Sequence, residues 1–179
     1  MVNYRLPIMA YRAVLPSSVR WIWMSPFDIN LAERRIDENA NVPGALLPVL
    51  HALQEEFGYV DSRAVPLVAR ALNLSNADVH GVLTFYHEFR STPPGRHVLK
   101  LCRAEACQSM GCNSLIGEVE KSAGAKLGET TRDGSLTLEA VYCLGNCALS
   151  PAALFDGIPY GRLNKERAQA LVAAARGKS

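Results

Sequence analysis

Charge of one sign is scarce in this sequence. Nineteen Lys and Arg face seventeen Asp and Glu across 179 residues, a formal net charge of +2. The excess sits in Arg5, Arg12 and Arg20, because residues 1–27 hold no acid. The rest of the chain is close to neutral, which excludes the basic footprint of a nucleic-acid binder. Long apolar runs are also missing. None approaches the roughly 20 residues that cross a bilayer, so no membrane span is expected. No G-x-G-x-x-G follows a strand-like segment, and there is no P-loop. A chain that transfers hydride by itself needs a nucleotide site, and Gly157-Ile-Pro-Tyr-Gly161 reads as a hairpin turn, not a phosphate cradle. Internal repeats are absent. His51, His80, His87 and His97 are scattered. Glu55-Glu56 and Asp37-Glu38 read as solvated helix acids, with no spacing that suits acid–base catalysis.

What is present is a chain that can bury a core, with 49% apolar and 20% charged residues. That composition is globular rather than disordered. Five cysteines are an odd number in a chain too large to need disulfide staples. The expected setting is reducing and cytoplasmic, with thiols free or on a metal. Residues 1–31 form an unassigned arm. It reads as a disordered tail, a segment lying on a partner, a faint transit-peptide pattern, or the product of a start placed ahead of Met24.

From Ala32 to Arg90 the pattern is helical. In PGALLPVLHALQEEFG, residues Leu46, Leu50, Leu53 and Phe57 share one face, and Gly58 is a natural stop. Val65, Val68 and Leu72 make a second stripe, with Pro66 confined to its first turn. Ser75 and Asp78 form a capping-box pattern ahead of a third helix, whose inward face continues through Val79, Leu83, Tyr86 and Phe89. Phe85, Tyr86 and Phe89 are expected in the core. Three amphipathic helices make a small bundle over residues 32–92. Pro93-Pro94-Gly95 breaks the texture, and residues 93–179 form a second domain. HVLKLC (97–102) and LTLEAVYC (136–143) read as strands, residues 108–123 as a helix, and residues 152–155 and 159–163 as a hairpin about Asp156-Gly157. Asn164 can cap a last helix. The order β-α-β-β-β-α points to an α+β chain whose second domain is a mixed sheet flanked by helices.

Four cysteines fall in two pairs, Cys102-Arg-Ala-Glu-Ala-Cys107 and Cys143-Leu-Gly-Asn-Cys147, each in a loop just after a predicted strand. If those strands are neighbours, all four sulfurs meet at one end of the sheet. Gly145 lets the second loop turn tightly and expose N–H groups. The helix after Cys107 would aim its N-terminus at the same place. N–H donors suit the net anion of an iron–sulfur core on thiolates. Structural zinc also takes four thiolates, but its usual knuckles fit x4 paired with x3 awkwardly. Dithiol exchange wants a C-x-x-C, which is absent. A Rieske-type centre needs two His ligands, and neither loop has one. Disulfides or inert buried thiols are the remaining readings. Cys112 reads as a small core residue, with ligand exchange as its alternative because Cys107 and Cys112 repeat the x4 spacing.

CRAEAC and CLGNCALSP, preceded by PGALLPVLHALQEEFGYV and GVLTFYHEFR, resemble the 24-kDa subunit of respiratory complex I. The similarity runs from about Asn41 to about Arg176. It implies a thioredoxin-like [2Fe-2S] ferredoxin behind a helical N-terminal domain that serves as docking surface. Carried over, Cys102, Cys107, Cys143 and Cys147 would ligate the cluster, two to each iron. Pro151 occupies the place of the thioredoxin-fold proline, a position open to a cis bond. CRAEACQSMG looks most similar to the gamma subunit of soluble, molybdenum-dependent, NAD-linked formate dehydrogenases. That likeness implies a partner binding FMN and NAD and a second partner whose molybdenum cofactor oxidises formate. The chain itself would carry single electrons and do no substrate chemistry. The same subunit of complex I or of an NAD-reducing hydrogenase is the alternative, and a zinc-stapled interaction module is the alternative of another class.

Overall fold

A computed structural model describes residues 26–177. Most of the N-terminal arm therefore lies outside the described residues. Among those residues no helix is long and apolar enough to cross a membrane. The chain divides after Ser91 into two compact units, each with its own buried core.

Among the described residues the first unit holds four α-helices, α1 (Ile29–Asn39), α2 (Leu46–Phe57), α3 (Val65–Leu72) and α4 (Asn76–Phe85). Helix α1 adds to the three expected from sequence. Its charged sequence buries only Ala32 and Ile36, and Asp28 caps it by accepting from the Leu31 N–H at 2.9 Å. Helix α2 buries Val49, Leu50, Leu53 and Phe57 and stops at Gly58, whose left-handed φ of 79° closes the last turn. Pro66 lies in the first turn of α3. The Ser75–Asp78 capping box is formed in both directions.

The expectation that α4 runs inward through Tyr86 and Phe89 is corrected. The helix ends at Phe85, and Phe85 and Tyr86 are 72% and 43% exposed. Only Phe89 is buried, and it packs on His51 at 5.0 Å. Two competitors claim the backbone. The Thr84 hydroxyl donates to the carbonyls of His80 and Gly81, a bond that offers the chain an alternative to its ladder. The Gln54 amide then grips the next segment, donating to the Glu88 carbonyl and accepting from the Arg90 N–H.

In the second unit come β1 (His97–Cys102), α5 (Glu105–Ser109), α6 (Cys112–Ala123), β2 (Leu136–Val141), β3 (Ala153–Phe155), β4 (Ile158–Tyr160) and α7 (Lys165–Ala175). The sheet order is β2-β1-β3-β4. Strands β1 and β2 run parallel, from His97 opposite Leu136 to Cys102 opposite Val141, and β3 and β4 add antiparallel. Leu99, Leu101, Leu136 and Leu138 are buried with Ile116 and Val119 of α6 and Leu171 and Val172 of α7. The mixed α+β architecture is the one read from the sequence. Two details differ. The single helix expected over residues 108–123 is broken by Gly111, whose φ is 83°. The second hairpin strand ends at Tyr160 rather than 163. Asp156 and Gly157 both take positive φ, as a two-residue turn requires. Asn164 caps α7 through the Arg167 N–H.

Asp61 is the most strongly held acid of the first unit. Its carboxylate accepts from the Arg63 N–H and guanidinium and from the Tyr59 hydroxyl. Arg63 draws its pKa down to about 2 against the opposing effect of burial. A depressed folded pKa stabilises above the unfolded value and is lost as pH falls through the folded one. Asp61→Asn is expected to cost on the order of 1 kcal/mol at neutral pH. In urea melts its deficit against the parent should shrink between about pH 4 and about pH 2.

Candidate metal centre

Parallel pairing of β1 and β2 makes their C-terminal ends coincide. The chain leaves both strands at one end of the sheet, into the segments that carry the two cysteine pairs. Cys102 is the last residue of β1; its N–H donates to the Ala152 carbonyl at 3.0 Å. Cys107 lies inside α5 and is buried, so the expectation that it precedes a helix is corrected. Cys143 follows β2 with a φ of 117°, a strained value for a non-glycine residue and one that persists where surrounding structure enforces it. Cys147 opens a 3-10 turn, Cys147–Leu149. Cys102 and Cys107 are buried, whereas Cys143 and Cys147 are exposed.

The sulfurs meet in two pairs. Cys143 and Cys147 stand 3.7 Å apart. Burial first, then the neighbouring Cys102 thiol, pushes Cys107 above the ordinary thiol range, while the Ala152 N–H and the Ser150 hydroxyl oppose it. Cys147 is pushed up chiefly by Cys143, and also by burial and by Cys107 and Cys102. The two pairs therefore feel one another. Among the described residues no three His, Cys, Asp or Glu side chains close on the position of a single metal ion. Paired thiols suit a centre of two metals.

Two further observations test that fit. The Gly145 N–H donates to Cys143 Sγ at 3.4 Å, the kind of bond that stabilises a coordinating thiolate. The Nε of Arg103, beside Cys102, is buried and makes no hydrogen bond. A cationic donor at this place suits an anionic group. Cys112 is the first residue of α6 and is packed in the core. Its thiol is raised by burial, then by Cys107 and Cys102, and lowered by Arg103. The Ser150–Pro151 peptide is cis.

A family model, thioredoxin-like [2Fe-2S] ferredoxin, matches residues 32–176. The chain belongs to that family. Its cofactor is a [2Fe-2S] cluster, which sets aside the zinc reading. The ferredoxin scaffold is shared with the E subunit of NADH-quinone oxidoreductase from Pseudomonas aeruginosa, 36% identical over 73% of this chain and 78% of the relative. The same protein of Escherichia coli is 32% identical over 78% and 87%. Among solved structures, an NAD+-reducing [NiFe]-hydrogenase in the air-oxidised state superposes with a TM-score of 0.65 at 27% identity over 82% of this chain. This chain spans 24% of that hydrogenase chain.

Sequence reasoning missed two residues of this ferredoxin site, Arg103 and Gly161. A Cβ on Gly161 would stand 2.5 Å from Leu149 Cβ and 3.0 Å from the Leu149 carbonyl. The backbone of the Cys147 turn rests directly on it, and the Arg162 N–H donates to the Leu149 carbonyl. The glycine in Tyr-Gly-Arg was visible, but not what approaches it. Gly161→Ala is expected to cost about 1–3 kcal/mol by overpacking and to speed iron loss to a chelator. Gly117→Ala, in α6 with nothing within 4 Å, should be neutral or mildly stabilising. Iron release equal in the two variants would refute the role of Gly161.

Proposed function

We propose that Cys102, Cys107, Cys143 and Cys147 hold the cluster, two to each iron, and that the chain is a one-electron carrier subunit of an NAD-linked oxidoreductase. The meeting of two thiol pairs at one end of a parallel strand pair carries this reading. The cluster supplies one-electron acceptance and donation without bond-making to substrate. The chain's own residues do the rest. Burial of Cys102 and Cys107 shields one side from water, and exposure of Cys143 and Cys147 leaves the other side open to a partner. Gly145 and Arg103 offer N–H donors to the negative sulfur.

The finer reading is the gamma subunit of a soluble, cytoplasmic, NAD-dependent formate dehydrogenase. It rests on the run Cys102-Arg-Ala-Glu-Ala-Cys107-Gln-Ser-Met-Gly111. In that setting the chain exchanges electrons with an FMN- and NAD-binding subunit, and a molybdenum-containing subunit oxidises formate to carbon dioxide. Residues 32–92 would act as docking domain and residues 93–179 as the cluster domain. The equivalent subunit of complex I or of an NAD-reducing hydrogenase is the second reading, favoured by the NADH-quinone oxidoreductase relatives and the hydrogenase likeness.

Replacing Cys102, Cys107, Cys143 or Cys147 by Ser is expected to remove at least half of the bound iron, whereas Cys112→Ala keeps it. Iron retained in any of the four, or lost in Cys112→Ala, would overturn the ligand set. For the partners, the complex is purified from its native source and exposed anaerobically to formate. Bleaching of the cluster by formate, with molybdenum present, is the expected result. Bleaching by NADH alone, with no molybdenum, would favour complex I or a hydrogenase.

A further inference from the structure

The stretch between Cys102 and Cys107 carries two charges, an exposed Glu105 and a part-buried Arg103, and electron carriage by four thiolates does not require the buried one. Arg103 is tied down on both sides by its backbone. Its N–H donates to the Val141 carbonyl at 2.8 Å, and its carbonyl accepts from Gln108 Nε2 at 2.8 Å. Arg103 is half-buried, and its Nε is sealed from solvent without a hydrogen-bond partner. A buried cationic donor left without an acceptor is costly, and native chains rarely keep one except where a further group meets it. Arg103 directly follows Cys102 at the end of β1, on the segment that joins the first cysteine pair.

We propose that Arg103 sets the reduction potential of the [2Fe-2S] centre by presenting its buried Nε–H and fixed positive charge to the sulfur side of that centre. This inference rests on the ligand set proposed above. A cluster on four thiolates is anionic and gains one further negative charge on reduction. A nearby cation therefore stabilises the reduced form more than the oxidised one and raises the potential. The guanidinium acts here as a constant bias rather than a switch. Its planar Nε–H is directional, which an ammonium at the same place does not reproduce.

The test is a redox titration of the full chain with its cluster, followed by reduced-state electron paramagnetic resonance, with iron and sulfide measured on every sample. Arg103→Gln keeps much of the side chain's length and loses the charge. It should lower the equilibrium constant for one-electron reduction about tenfold, a midpoint about 59 mV more negative. Arg103→Lys should shift in the same direction by less. A loaded Arg103→Gln variant with an unmoved midpoint would overturn the inference. If Arg103→Gln fails to hold iron, Arg103→Lys decides. A loaded Lys variant with a lowered midpoint supports the role, and one that is unmoved or also empty overturns it. A parent chain without iron would sink the cluster reading itself; a loaded parent with unmoved variants sinks only the role of Arg103.

Discussion

Thiols crowded at one place cannot all ionise unless positive charge is set among them. That constraint governs the second unit. Burial and then Cys102 push the Cys107 thiol up, and Cys143 above all pushes up Cys147. Such a group is a poor dithiol reagent at neutral pH, because nucleophilic exchange needs a thiolate. A metal core reverses the balance, since a coordinated thiol is deprotonated outright. Parallel pairing of β1 and β2 creates the crowding, and the polar groups around it moderate the charge. The Gly145 N–H reaches Cys143, and Ser150 and Ala152 act on Cys107.

The supports of the site are distributed along the chain. The Cys147 turn rests on Gly161, just after β4, and Cys102 is bonded to Ala152, just before β3. At the other end of β1, Asp156 in the hairpin turn accepts from the Val98 N–H and pairs with His97 at 2.7 Å. The hairpin thus fixes the start of β1 through Asp156 and the cysteine turn through Gly161. The same scaffold serves relatives in different NAD-linked complexes.

Local chemistry made much of this legible. Ser75 with Asp78, Asn164, Gly58 and Asp156-Gly157 act through neighbours a few residues away, so one strand of sequence contains the whole interaction. The two cysteine pairs were legible for the same reason, and their convergence was conditional on β1 and β2 being neighbours, a pairing the sheet shows. What escaped depends on residues distant in the chain. Gln54 ends the inward run of α4, and Leu149 explains why position 161 holds glycine. Nothing nearby in sequence declares the burial of the Arg103 Nε. Helix α1 was not counted as an element of its own, although Asp37-Glu38 read as helix acids, since Arg, Glu and Asp outnumber the few apolar residues that mark its inner face. The break at Gly111 had a visible signal, the glycine itself, but the apolar spacing across it reads as one continuous helix.

The central claim is that four thiolates at one end of this sheet hold a two-iron centre. The most direct measurement is iron and acid-labile sulfide per purified chain, with electron paramagnetic resonance of the same sample after reduction. Close to two of each, with a reduced-state signal, is the predicted result. A colourless chain holding one zinc, no sulfide and no signal would contradict it.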